Sequence, residues 1–184
     1  MKFFLLFLIA AVVLCFGCGK RDTTEIPAVK DFDINRYCGK WYEIARLPNW
    51  FENGMSGVSA NYSLNHNGTV KVVNSGMKNG KIHSVTGTAE LAGKTNEGEL
   101  KVSFMWPFRG SYRIIKLATD YSVAVVCGKS YNYLWILARK PEISLADLDE
   151  ILKFLQPYGF NIANLEFPQQ KNGGTVNKST AAQR

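Results

Sequence analysis

Histidine is nearly absent from this chain of 184 residues, which has only two. His66 and His83 lie in or beside predicted turns, where an imidazole is more often solvated than bound to a metal. The sequence also lacks paired C-x-x-C motifs with zinc spacing, an H-E-x-x-H motif and a phosphate-binding G-x-x-x-x-G-K-[ST] loop. We therefore expect no metal ion, no nucleotide and no other cofactor.

Clustered charge is lacking as well. The formal net charge of +7 comes from 22 Lys and Arg against 15 Asp and Glu, and the basic residues are scattered singly along the predicted strands. Nucleic-acid binding requires a basic patch or stripe, so we expect no nucleic-acid partner. A hydrophobic content of 46% and a charged content of 20% indicate a folded chain of one domain.

One long apolar run occurs, at the N-terminus. Residues 3–16 are apolar and follow Lys2. The run is shorter than the roughly 20 residues that span a bilayer, and a cationic start before a short apolar stretch is typical of a secretory signal. We therefore predict a signal peptide over residues 1–17.

The residues that follow resemble a bacterial lipobox, in which a cysteine is acylated and becomes the mature N-terminus. Gly17-Cys18 matches its end, although Cys15 stands where a lipobox usually has leucine. We predict lipidation at Cys18, with a lipidated N-terminus and polar tether over residues 18–31; ordinary signal cleavage and an uncleaved anchor are the alternatives. Because Gly19 follows the cysteine in place of Asp, the usual inner-membrane retention residue of enteric lipoproteins, we expect an outer-membrane protein with its folded domain in the periplasm.

Helical periodicity is scarce between residues 41 and 139, where short alternating segments predominate. Val58, Ala60, Tyr62 and Leu64, for example, alternate with polar residues. Asn-Gly pairs at 67–68 and 79–80 favour tight hairpins. Eight such segments predict an all-β, eight-stranded antiparallel up-and-down barrel. A sandwich or a filled barrel without a cavity fits the same pattern.

The segment after the barrel predicts one α-helix packed on its outer wall. Ser144 is the expected N-cap, and an apolar stripe follows at helical spacing from Leu148 to Leu155. Residues 164–167 are a candidate for one further short strand. We assign residues 32–168 to the barrel domain and residues 169–184, which are poor in apolar side chains, to a disordered tail.

Three separated motifs resemble those of the lipocalin family, and within it the branch of bacterial outer-membrane lipocalins and apolipoprotein D. They are a G-x-W on the first strand, a T-D-Y turn between the sixth and seventh strands, and an arginine that ends the eighth: Gly39 and Trp41; Thr119, Asp120 and Tyr121; Arg139. The resemblance implies that Trp41 closes the barrel floor with Arg139 across its ring. These motif residues are thus expected to be structural.

The resemblance also implies where a ligand binds. Family strand order combined with alternation places nine residues on inward or mouth-facing positions: Ala60, Tyr62, Val72, Val102, Phe104, Trp106, Ile114, Tyr133 and Trp135. Core packing explains any single one of them equally well, but the set is apolar and suits a lipophilic molecule such as a fatty acid or lysophospholipid.

Two inward polar residues depart from this pattern. Glu43 alternates with Trp41, so we expect it to be paired near the floor; Asn74 is a candidate anchor for a head group. Residues 48–54 correspond to the family's lid over the mouth, and their aromatic side chains either face a membrane or cover the ligand.

Cys38 and Cys127 remain after the predicted cleavage, and the sequence leaves open whether they form a disulfide.

Three classes of function follow. The first is an outer-membrane-anchored lipocalin that binds, stores or transports a lipophilic ligand, held to the membrane by its acyl group. The second is an envelope structural or partner-binding module without a ligand. The third, a lipid-modifying enzyme, requires a nucleophile and a base that the sequence does not bring together, so we expect no enzyme. The resemblance also allows a homodimer.

Overall fold

The computed structural model describes residues 22–93 and 96–170. The predicted signal peptide and the lipidation site at Cys18 lie outside the described residues, as do residues 171–184 of the predicted tail.

The described residues form eight strands, which close into one barrel with each strand antiparallel to its neighbours. The predicted up-and-down barrel is confirmed. The strands are β1 (Gly39–Arg46), β2 (Ser56–Leu64), β3 (Val70–Lys78), β4 (Lys81–Leu91), β5 (Glu99–Met105), β6 (Phe108–Leu117), β7 (Val123–Cys127) and β8 (Leu134–Ala138).

The barrel has two different ends. At the mouth lie the β1–β2 loop and the β3–β4, β5–β6 and β7–β8 hairpins; the other connections lie at the closed end, with helix α1 (Ile34–Tyr37). At the mouth, Asn79 and Gly80 form the β3–β4 turn with positive φ angles of 52° and 72°, as the Asn-Gly signal predicted.

Helix α2 (Leu145–Leu155) packs outside the barrel, as predicted. Ser144 caps its N-terminus: the hydroxyl oxygen accepts a hydrogen bond from the Asp147 N–H at 3.0 Å. The buried face of α2, formed by Leu148, Ile151 and Leu155, joins an outer hydrophobic cluster with β1, β7 and β8. The amphipathic spacing therefore predicts both the helix and the face that it buries.

Residues 22–31, predicted to be part of a polar tether, instead pack on the barrel. The Thr23 N–H donates to the Lys129 carbonyl at 2.9 Å in the β7–β8 hairpin, and Ile26 is buried in the outer cluster. The Val29 N–H then donates to a carbonyl of β6. The prediction was wrong here because two apolar side chains and a few backbone hydrogen bonds suffice to dock a short segment.

Contacts with the barrel continue to residue 170, two residues beyond the predicted boundary at 168. Buried Gln170 donates its side-chain amide to the carbonyls of Glu43 at 2.7 Å and Val58 at 3.0 Å. Both carbonyls lie next to irregularities in the β1 and β2 ladders. In place of the candidate strand at 164–167, Glu166 forms an isolated bridge with Arg46 after a 3₁₀ turn (Ile162–Asn164).

Candidate ligand-binding site

The floor of the barrel is closed by the first and third motifs together. The Arg139 guanidinium lies 3.9 Å from the centre of the Trp41 ring and donates to the carbonyls of Lys40 at 3.0 Å and Tyr37 at 3.1 Å. Gly39 has a φ of 98°, and a Cβ there would approach Arg139 to 3.3 Å. The contacts of Arg139 thus join α1, β1 and β8 at the closed end of the barrel.

The second motif holds α1 in place at the closed end. The Asp120 carboxylate accepts from the backbone N–H of Ser122 at 3.0 Å and from its hydroxyl at 2.6 Å, and these bonds lower the pKa of Asp120. Tyr121 adopts a positive φ of 61°, and the Arg36 guanidinium lies 4.0 Å from its ring centre. Arg36 also donates to the Thr119 carbonyl at 2.8 Å. All three motifs therefore lie at the closed end.

Six of the nine predicted cavity residues lie in the hydrophobic cluster inside the barrel. Tyr62, Val72 and Ile114 are fully buried, whereas Ala60, Val102 and Trp135 are only half-buried although they face inward. Three of the inward-facing residues therefore keep some accessible surface.

The other three predicted residues lie at the mouth. Phe104 faces inward, packs on Gly87 and is 41% exposed; Trp106 lies in the β5–β6 hairpin and is 83% exposed. Tyr133 stacks between Phe51 and Trp135, with ring centres 6.3 and 6.0 Å apart. The structure thus places these three around the opening.

A buried charged cluster lies beneath the β1–β2 loop. Arg46 donates to the Glu43 carboxyl group at 2.6 Å and to the Glu52 carbonyl at 2.9 Å. The Glu52 carboxylate accepts from the Trp135 indole N–H at 3.0 Å. Burial, together with the charge of Glu52, raises the pKa of Glu43 to about 8 despite the Arg46 contact. The expected pairing of Glu43 is present, but the partners come from the mouth side and not from the floor.

Sequence reasoning missed Arg46 because strict alternation places it on the outer face. The β1 ladder with β8 shifts register between Glu43 and Ala45, so both Ile44 and Ala45 join the outer cluster and Arg46 turns inward. The alternation of residues in β1 gives no signal of this β-bulge.

Deeper in the barrel, three hydroxyl groups meet. The Tyr112 hydroxyl lies 2.6 Å from that of Tyr37 and 2.9 Å from that of Tyr62. We call these residues the tyrosine cluster. Burial raises the pKa of all three, that of Tyr62 to about 12, so the hydroxyls stay protonated. Of its members only Tyr62 was predicted from the sequence to be a cavity residue.

Asn74 lies on the inner face of β3, as predicted. It pairs with Ala60 across the ladder, and its Oδ1 is buried without a hydrogen-bond partner in the described part of the chain.

Cys38 and Cys127 are both free thiols in the described structure. Cys38 packs against the cluster inside the barrel, whereas Cys127 belongs to the outer cluster under α2. Burial raises the pKa of Cys127 to about 11, so its thiol is not a ready nucleophile.

Residues 22–93 and 96–170 contain no group of three or more His, Cys, Asp and Glu side chains arranged to hold a metal ion. None of the helices in those ranges combines the length and apolar character of a membrane span.

Comparison with known proteins gives consistent matches. The family model described as "Lipocalin-like domain" matches residues 32–170. The outer membrane lipoprotein Blc of Vibrio cholerae serotype O1 is 38% identical over 169 residues, covering 90% of this chain and 98% of that protein. Apolipoprotein D of Macaca fascicularis is 31% identical over 183 residues, covering 91% and 96%. The solved structure of insecticyanin from the tobacco hornworm Manduca sexta superimposes with a TM-score of 0.68 at 19% identity, covering 83% and 88%.

Proposed function

Because the chain belongs to the lipocalin-like family, we propose that it is an outer-membrane-anchored carrier of a single-chain lipid, a fatty acid or lysophospholipid. The half-buried inward residues carry this proposal. Ala60, Val102 and Trp135 face the inside of a closed barrel and yet keep accessible surface.

Burial of the acyl chain supplies the binding free energy. Removing about 300 Å² of apolar surface from water at about 25 cal/mol per Å² contributes about 7 kcal/mol, before ordering costs, which is in the range of micromolar affinity. The polar head then remains at the mouth, beside Tyr133 and the Glu43–Arg46–Glu52 cluster. The acyl chain extends towards Val102.

Anchoring is the second part of the proposal. The Gly17-Cys18 sequence supports acylation, and the similar Vibrio protein is named an outer membrane lipoprotein. A diacylated cysteine gives stable attachment, since each buried CH₂ contributes about 0.8 kcal/mol. Replacing Cys18 with Ala is expected to abolish incorporation of labelled palmitate and to release the protein from the membrane fraction.

Ligand binding is tested by filling the interior. Ala60→Trp adds an indole on the inner face, whereas Asn61→Trp adds the same group on the exposed outer face of the same strand. The affinities for oleate and for lysophospholipid are measured by displacement of a fluorescent fatty acid. They are expected to fall at least tenfold in Ala60→Trp and to stay unchanged in Asn61→Trp. Binding that survives in both would place the ligand outside the barrel and contradict the carrier function.

The same titration separates binding from catalysis. We expect lysophospholipid to be recovered intact after incubation with the protein, and the release of free fatty acid would favour an enzyme.

A further inference from the structure

The tyrosine cluster has one more hydroxyl proton than its own hydrogen bonds use. Tyr37, Tyr62 and Tyr112 supply three O–H donors, and the two contacts between them use two. Among the residues that the structure describes, the third proton has no acceptor. An unpaired donor inside an apolar barrel is costly, so this proton is a ready partner for a ligand oxygen.

Asn74 adds an unpaired group of its own beside this cluster. In the β2–β3 ladder Tyr62 pairs with Val72, and Ala60 pairs with Asn74. Tyr62 and Asn74 are therefore diagonal neighbours on the inner face, a spacing at which longer side chains share one partner. The buried Oδ1 of Asn74, which has no partner in residues 22–93 and 96–170, faces the same interior.

Two inner-face neighbours of the unpaired groups keep some accessible surface. Ala60, which pairs with Asn74, and Tyr112, at the centre of the cluster, are both half-buried on the inner face. Towards the mouth, Val58 and Met55 pack over Gly76. The unpaired groups thus lie below the rim, on the inner face of the barrel.

Given the proposed carrier function, on which this inference rests, we propose that the preferred ligand carries a hydroxyl group on its acyl chain, bound deep in the barrel between Asn74 and the tyrosine cluster. A hydroxyl donates one hydrogen bond and accepts others, so it pairs both groups at once, whichever way the Asn74 amide is turned. A plain acyl chain leaves both unpaired. A carboxylate only accepts, and its charge is costly in an apolar interior.

The test compares methyl stearate with the positional isomers of methyl hydroxystearate, in which the hydroxyl moves stepwise along the chain. Methyl esters are used so that the probes differ only in the hydroxyl on the acyl chain and carry no free carboxyl group to contact the charged cluster at the mouth. The full chain in detergent micelles is titrated by displacement of a fluorescent fatty acid. We expect at least one isomer to bind about tenfold more tightly than methyl stearate, the equivalent of two net hydrogen bonds.

Asn74→Leu tests the assignment of the site. It keeps the side-chain volume and removes the amide, so the preference for the hydroxylated probe is expected to disappear while methyl stearate binds as before. The thermal midpoint of the unliganded variant is expected to stay the same or to rise, because an unpaired buried polar group is lost. Ser75→Ala, on the outer face of the same strand, is the matched control and is expected to retain the preference.

The outcomes separate this inference from the proposed function. Equal binding of methyl stearate and every isomer, or a preference that survives in Asn74→Leu, overturns the hydroxyl site and leaves the carrier function standing. Absence of binding by every probe, the fluorescent fatty acid included, overturns both. Micelle partitioning of a given probe is the same for all variants, so it cancels when the preference ratios are compared.

Discussion

At the scale of single residues, Glu43 departs strongly from the behaviour of a carboxyl group in water. It is buried, it contacts Arg46, and its pKa is raised from 4.5 to about 8. The folded protein therefore holds this proton more tightly than the unfolded chain does. Glu43 stabilises the fold while protonated and opposes it once ionised.

We expect the free energy of unfolding to fall as the pH rises through the window between 4.5 and about 8. Inside this window the slope from Glu43 approaches about 1.4 kcal/mol per pH unit. Glu43→Gln is expected to flatten the dependence, as measured by urea denaturation across this pH range. Glu90→Gln, at an exposed pair with Arg109, serves as the control and is expected to keep the wild-type slope. An unchanged slope in Glu43→Gln would show that another group binds the proton.

The tyrosine cluster gives a second prediction at this scale. Tyr112→Phe leaves the hydroxyls of Tyr37 and Tyr62 without their shared partner, whereas Tyr62→Phe leaves the contact between Tyr37 and Tyr112 intact. Because unpaired buried hydroxyls are costly, we expect the first variant to lose about 1–3 kcal/mol more stability than the second. Urea denaturation of the two unliganded variants compares them directly, and equal losses would mean that the hydroxyl contacts contribute little.

At the scale of elements, the closed end depends on one arginine that contacts a helix and two strands. Arg139 ends β8, stacks on Trp41 of β1 and donates to the carbonyl of Tyr37 in α1. A lysine carries the same charge but has neither the planar stacking surface nor the fork of donors. The three elements are therefore joined by the shape of the guanidinium as much as by its charge.

Arg139→Lys is accordingly expected to cost about 2–4 kcal/mol of stability, from the lost stacking and the carbonyls left without donors. The thermal midpoint should fall by several degrees, while Lys140→Met at the exposed neighbouring position should leave it nearly unchanged. Retention of the wild-type midpoint in Arg139→Lys would assign the closure of the floor to Trp41 packing alone.

Elements with a regular pattern could be predicted from the sequence. The β2 alternation and the Asn-Gly turn at 79–80 gave the correct strands, and the stripe from Leu148 to Leu155 gave α2. What could not be predicted depends on departures from periodicity. A single β-bulge turns Arg46 inward, and the resulting contact with Glu43 depends on a loop that alternation does not describe.

The candidate site was predictable to the same extent. Alternation on regular strands placed Ala60, Val72 and Val102 inside the barrel. Alternation did not indicate that three tyrosine hydroxyls meet, because Tyr37 comes from α1 and Tyr112 from β6, elements distant in sequence. Hydrogen bonding of this kind depends on the closure of the barrel.

At the scale of the whole molecule, the first described residues fix which end lies near the proposed anchor. Asp22 bridges Ser130 in the β7–β8 hairpin at the mouth. Cys18 lies four residues earlier, and four residues span at most about 14 Å. Acylation at Cys18, as proposed, is therefore expected to hold the mouth, and not the floor, beside the membrane.

This orientation predicts that Trp106, 83% exposed at the mouth, is quenched by brominated lipids when the acylated protein is reconstituted in vesicles. Trp106→Phe is expected to remove part of the quenching, because Trp50, in the β1–β2 loop at the mouth, is also 83% exposed. A tryptophan introduced by Leu64→Trp, at an exposed apolar position of the closed end, is expected to escape it. Comparable quenching at both ends would mean that the barrel lies on its side.

The short link between Cys18 and the β7–β8 hairpin has a consequence for how a lipid ligand reaches the barrel. For a carrier acylated at Cys18, as proposed, the β7–β8 hairpin lies within about 14 Å of the anchor, so the mouth meets the lipid of the membrane directly beneath it. The effective concentration of ligand is then expected to be that of the local leaflet, even when almost no lipid is dissolved in the surrounding water. Occupancy of the barrel is expected to follow the composition of that patch of membrane.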